Sequence, residues 1–185
     1  MEDAPRPTIK GIFVKSHLRA LERERGEEGL RELHRRFGRP LNYTNADDVP
    51  IADEVQILEH IVDMLSPTKL SQSERELEAG RLHFRNFATT PLWAITDSIF
   101  GGDTKKILMR SQYIAGYVFQ DVTFVSEDLG PTTVRITMFN NDYPVEHFQG
   151  FFEEWLATAH VKGNVKAAAQ GRGRYEYVIS WEDEA

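Results

Sequence analysis

Between Gly116 and Trp181 the spacing of apolar residues changes twice, from every second position to every third or fourth and back again. Half-buried strands repeat with period two and helices with period 3.6, so this stretch predicts two antiparallel hairpins around one helix. Val118, Gln120, Val122 and Phe124 alternate with Phe119, Asp121, Thr123 and Val125, and Glu127-Asp128-Leu129-Gly130-Pro131 punctuates. Val134, Ile136 and Met138 resume the alternation. Asn140-Asn141-Asp142 then offers capping oxygens, with Asp142 as the expected N-cap of a helix over about residues 144–161. Val145, Phe148, Phe152, Trp155, Leu156 and Ala159 form its apolar stripe, and Gly163 stops it. Val165, Ala167 and Ala169 alternate, Gly171-Arg172-Gly173 turns, and Tyr175, Tyr177, Ile179 and Trp181 make a last aromatic-rich strand.

The residues before this unit read as helical. Gly11 to about Glu24 carries Ile12, Leu18 and Leu21, and Leu30, Leu33 and Phe37 mark a second helix stopped by Gly38 and Pro40. In Ala52 to Leu65, Val55, Leu58, Val62 and Leu65 make one stripe while Ile57 and Ile61 make another, as expected of a helix near the core centre. Ser71 with Glu74, or Ser73 with Glu76, has capping-box spacing for a helix ending near Phe87. Pro91-Leu92-Trp93 opens another helix, closed by Gly101-Gly102, and Asp103 caps one from Thr104 towards Tyr113. The fold class expected is α+β: N-terminal helices, then a four-stranded antiparallel sheet built from two hairpins around one amphipathic helix. We expect a single domain over 1–185, with a helical part at 1–115 and a strand-strand-helix-strand-strand part at 116–181.

Composition removes several classes of function. With no cysteine there are no disulfides, thiolate metal sites or cysteine nucleophiles. A net charge of −7 gives no overall field for nucleic acid, and no apolar run has the length of a membrane span, so a cytoplasmic protein without nucleic-acid or membrane partners is expected.

Chemical motifs are sparse. Gly171-x-Gly173 sits between strands and reads as a turn rather than a phosphate cradle. His17, His34, His60, His83, His147 and His160 show no HxxxH or HxH pairing. Glu59, His60 and Asp63 read as a solvated helix edge, and Arg31, Arg35, Arg36 and Arg39 among glutamates as a solvated face. His83, between Leu82 and Phe84, has the surroundings of a packed histidine, with axial haem ligation as the alternative. No G-x-S-x-G elbow or spaced carboxylate pair is present. No catalytic residue, metal ligand or cofactor is therefore assigned. The ligand-binding candidates are aromatic: Trp93, Phe100, Tyr113, Phe148, Phe152 and Trp155.

Lys10-Gly11-Ile12-Phe13, Leu41-Asn42-Tyr43, Phe100-Gly101-Gly102, His147-Phe148-Gln149-Gly150-Phe151 and Tyr177-Val178-Ile179-Ser180-Trp181 occur in that order. Together they resemble a domain of unknown function, about this size, expanded as paralogues in myxobacteria. More distantly, the layout is similar to the superfamily of the vinyl-4-reductase domain, the transport-particle subunits and the haem nitric-oxide-binding proteins. That resemblance implies a ligand-binding or interaction module, often dimeric. It does not carry haem across. The haem branch has a Tyr-x-Ser-x-Arg signature, and Tyr113-Ile-Ala-Gly-Tyr117 matches only its first tyrosine.

The reading that results is a non-enzymatic sensor or scaffold that binds a small apolar ligand or a protein partner, as a homodimer or a heterodimer with a paralogue. The alternatives are an enzyme for a small hydrophobic substrate, with His83 or His147 as general base, and a haem or gas sensor. Trp93, Ile95, Ile99 and Phe100 crowd one short helix and are the candidate association surface.

Overall fold

The computed structural model describes residues 6–182. The chain enters through a short strand, β1 (Thr8–Lys10), and turns at once into a long helix, α1 (Gly11–Phe37). Glycine is required at that turn, because a Cβ on Gly11 would meet the Thr44 carbonyl oxygen at 2.1 Å. Gly26, at φ 63°, breaks α1 into the two helical segments that the sequence suggests. β2 (Asp48–Pro50) pairs antiparallel with β1 and leads into α2 (Ile51–Leu65).

α3 (Gln72–Phe87) starts at the Ser71/Glu74 capping box, in which each residue satisfies a backbone N–H at the other's position. α4 (Pro91–Phe100) follows, with the Thr90 hydroxyl accepting from the Trp93 N–H. Asp103 caps α5 (Thr104–Met109), which stops at Arg110, and a separate helix, α6 (Ser111–Val118), takes over where one continuous helix was expected.

The first strand of the large sheet begins later than the alternation from Val118 suggests. Val118 ends α6, Phe119–Gln120 is a two-residue strand β3 that joins β1, and Asp121 sits at φ 61°. The N-terminal part therefore shares a small sheet, ordered β2-β1-β3, with the segment read as the first long strand. The true first strand of the large sheet is β4 (Thr123–Gly130), which runs through the residues taken for a turn.

Beyond that point the expected layout is what forms. β5 (Thr133–Phe139), α7 (Val145–Thr158), β6 (Gly163–Gly171) and β7 (Arg174–Trp181) complete a four-stranded antiparallel sheet in the order β4-β5-β7-β6. The two hairpins meet along β5 and β7, with Ile136 opposite Tyr177. Asp142 is not the cap of α7. Pro144 occupies that position without a side-chain bond, and the Asn141 carboxamide oxygen accepts from the Tyr143 N–H instead.

α7 buries Phe148, Phe152, Trp155 and Leu156 between the sheet and α3. Each such side chain contributes roughly 1.5–3 kcal/mol by leaving water. Among the described residues, no helix is long and apolar enough to cross a membrane.

Candidate functional site

The core between α3, α6, α7 and β4 leaves a cavity of about 60 Å³. Trp93, Phe148, Phe151, Phe152 and Trp155 supply aromatic walls, while Ile107, Ile114, Ala115 and Phe124 close the rest. Among the described residues, His83, Ser111 and the indole rings of Trp93 and Trp155 are the lining side chains with polar atoms. The walls follow from helical spacing: Phe148, Phe151, Phe152 and Trp155 fall on one side of α7, and His83 faces them from α3 with its ring centroid 5.3 Å from that of Phe151.

Behind His83 lies a group of polar side chains with almost no exposure. Glu54 of α2, His17 of α1, His83 and Asn86 of α3, and His147 of α7 meet in the helical layer. His17 Nε2 lies 2.8 Å from Glu54 Oε1, and the Asn86 amide nitrogen lies 3.0 Å from His17 Nδ1. The Tyr143 hydroxyl donates to Glu54 Oε2. His83 Nδ1 is 2.9 Å from His147 Nε2, while His83 Nε2 stands 3.8 Å from Glu54 Oε1. A buried carboxylate costs several kcal/mol unless paired and hydrogen-bonded, a condition that His17 and Tyr143 meet for Glu54.

Electrostatics follow from the burial. Burial works against the ionised form of Glu54, but facing His83, the His17 bond and the Tyr143 hydroxyl outweigh it and hold the carboxyl below its usual range. Burial lowers His83 to about 4, with Glu54 opposing the shift and His17 adding to it. Burial, then His83 and His17, places His147 well below the ordinary histidine value. Burial and Glu54 raise the Tyr143 phenol well above its usual range. Strongly shifted groups beside a cavity mark a site of function more often than a plain core.

The aromatic candidates divide between two places. Trp93, Phe148, Phe152 and Trp155 line the cavity. Phe100 and Tyr113 do not; they border a separate, open groove of about 770 Å³ between α4 and α6. Glu59, His60 and Asp63 do not form a joint site: Asp63 pairs with Arg75, and Glu59 accepts from Gln72. The histidines, unpaired by sequence spacing, are paired in space. Glu54 and Tyr143 carry no local signal, because their partners lie 37 and 89 residues away, beyond any local motif.

The model of a family described as a protein of unknown function, DUF2378, matches residues 3–182. The chain belongs to that family. No curated protein matches this DUF2378 chain in sequence. Its fold is that of the H-NOX domains. A Tt H-NOX double variant superposes with a TM-score of 0.68 at 15% identity, over 94% of this chain and 95% of that one. The oxygen complex of an oxygen-binding H-NOX domain related to soluble guanylate cyclases also gives 0.68 at 15% identity, over 94% and 95%. The Fe(II) unliganded H-NOX protein from K. algicida gives 0.60 at 14% identity, over 95% and 97%. The expected likeness to the haem nitric-oxide-binding proteins is therefore one of fold.

Proposed function

We propose that this DUF2378 domain is a non-enzymatic sensor that takes a small apolar molecule, of the size of a gas, into its aromatic cavity without haem. The observation that carries this reading is the cavity itself. Its 60 Å³ is several times the roughly 10–15 Å³ that admits one water, and its walls offer almost nothing for water to bond.

The haem implied by the fold likeness does not fit the residues present. Sites for cofactor-sized ligands occupy roughly 300–1,000 Å³, well above this cavity. His83 brings the cavity's only imidazole, with Nδ1 committed to His147 and Nε2 turned towards Glu54. Among the described residues, no lysine or arginine lines the cavity to hold propionates. The open groove between α4 and α6 has Arg110 but no histidine. With Nδ1 held by His147 and Nε2 on the Glu54 side, 3.8 Å from that carboxylate, His83 is poorly placed to act as a general base on a guest in the cavity.

A route for output is supported by Ile114, which lines both the cavity and the outer groove. A guest in the cavity presses on α6 from inside, and the groove reads the displacement from outside. Xenon tests the reading, since dry apolar cavities accept it. Xenon NMR is expected to show one saturable site, lost in Ala115→Leu, which fills the cavity. A wild-type chain that takes no xenon would overturn the proposal, as would an unchanged signal in the filled variant. Added haemin is expected to give no stoichiometric Soret band.

A further inference from the structure

The buried polar cluster is not explained by a small apolar guest, and it carries an inference independent of the cavity reading. We infer that His17, Glu54 and His83 form a binding site for one divalent transition-metal ion in the interior of the helical layer. Two imidazoles and one carboxylate are the donor set that zinc(II) and iron(II) accept.

Three observations support the assignment. His17, Glu54 and His83 each offer one ligand atom, and those atoms all lie within 4.8 Å of one another. A tetrahedral ion with bonds of about 2.0–2.1 Å holds its ligands about 3.3 Å apart. His17 Nε2 and Glu54 Oε1, at 2.8 Å, must open slightly, and His83 Nε2 and Glu54 Oε1, at 3.8 Å, must close by a similar amount. The two imidazole nitrogens, within 4.8 Å of each other, must come to the same separation.

Each ligand also has an outer partner, the arrangement that orients metal-bound residues. Asn86 touches His17 Nδ1, His147 touches His83 Nδ1, and Tyr143 bonds the second oxygen of Glu54. Without an ion, His17 carries its proton on Nε2, and its Nδ1 accepts from the Asn86 amide. With one, the ring keeps a single proton, now on Nδ1, and the carboxamide of Asn86 turns its oxygen to it. Side-chain oxygen and nitrogen are nearly isosteric, so both arrangements suit the same pocket.

Finally, the imidazoles are not fully used by the protein. His83 Nε2 is beyond hydrogen-bond distance of Glu54, and His147 Nδ1 is buried without a partner. An ion on His83 Nε2 would give that nitrogen a partner and offset the buried carboxylate charge.

The test uses the full chain, treated with chelator and then supplied with cobalt(II) or zinc(II). One ion per chain is expected, with visible ligand-field bands for cobalt and a raised melting temperature, because an ion bound only by the native state stabilises it. Elemental analysis of the protein before chelation separates zinc from iron as the resident ion. Glu54→Gln and His83→Gln should each weaken binding at least about 100-fold, and Asn86→Ala about 10–100-fold through the outer partner of His17. His60→Gln, away from the cluster, should bind as the parent does. Folding of each variant is checked by circular dichroism. If Glu54→Gln and His83→Gln fail to fold, Asn86→Ala and the parent chain still decide. A folded parent chain that takes up neither ion would overturn the inference, as would binding unchanged by Asn86→Ala or equally weakened by His60→Gln.

Discussion

Gly80 of α3 and Gly150 of α7 each face the other helix's backbone at the point where a Cβ would stand. A Cβ on Gly80 would lie 1.7 Å from the His147 carbonyl oxygen, and one on Gly150 would lie 2.0 Å from that of Leu77. This close crossing lets α3 and α7 share the aromatic cavity and brings His83 within 2.9 Å of His147. Gly80→Ala and Gly150→Ala should each destabilise by about 1–3 kcal/mol or more, the usual range for overpacking. Urea midpoints measure it. Variants as stable as the parent would mean that the helices separate without cost.

Trp155 and Glu153 lie on opposite faces of α7. Trp155 is buried and stacks on Phe84 at 6.4 Å between ring centroids, while Glu153 is half-buried and pairs with Arg81. Trp155→Ala should cost about 3–5 kcal/mol, because a large aromatic leaves a void that joins the existing cavity. Glu153→Ala should cost about 0.5 kcal/mol or less, as a partly exposed ion pair adds little. Equal urea midpoints for the two would contradict the assignment of faces.

The contrast between these residues shows what was legible in the sequence. Trp155, Phe152 and Phe148 repeat at helical spacing, and Val134, Ile136 and Met138 alternate, so local period reveals both elements and the faces they bury. The three-residue strands β1 and β2 are too short to show a period, and Ile9 is buried only because Val49 and Phe119 come from far along the chain to flank it. β4 was misplaced because its end, Glu127 to Gly130, is polar and mostly exposed, like a turn. Glu54 looks like any surface glutamate of an amphipathic helix. Its burial follows from His17 and Tyr143, and no spacing rule joins them.

Acid should destabilise the ion-free chain well before general carboxylate protonation. His83 falls from 6.5 to about 4 on folding, chiefly through burial, and His147 shifts in the same direction. The unfolded chain therefore takes up these protons first. The contribution to stability is complete above about pH 6.5 and declines as pH falls from there towards 4. For His83 alone it amounts to about 3 kcal/mol, at 1.36 kcal/mol per pH unit. Glu54, also lowered, loses its contribution only at still more acid pH, as its own carboxyl takes up a proton. Urea midpoints at pH 7.5 and pH 5 should differ clearly in the parent chain and less in a His83→Phe, His147→Phe double variant. A flat profile in the parent would show that the histidines remain solvated.

Association is the last expectation, and it rests on the groove between α4 and α6. Trp93 turns inward to the cavity, so the short helix α4 cannot also bury Ile95 and Ile99, which remain 57% and 68% exposed. Tyr113 and Tyr117, at 65% and 72%, continue the apolar surface onto α6. Contiguous exposed apolar surface of this kind is uncommon on monomers and marks contact sites. Two copies related by a twofold axis would pair α4 and α6 with their counterparts, covering the same residues on each side. Light scattering at micromolar concentration should therefore give about twice the 21.2 kDa of one chain, and Ile99→Glu should return it to the single-chain mass. Because Ile99 lies outside the cavity and the polar cluster, that variant should keep xenon uptake. A parent chain that stays at the single-chain mass on concentration would rule out the homodimer. That outcome would leave a heteromeric partner, such as a paralogue, or a monomeric ligand binder.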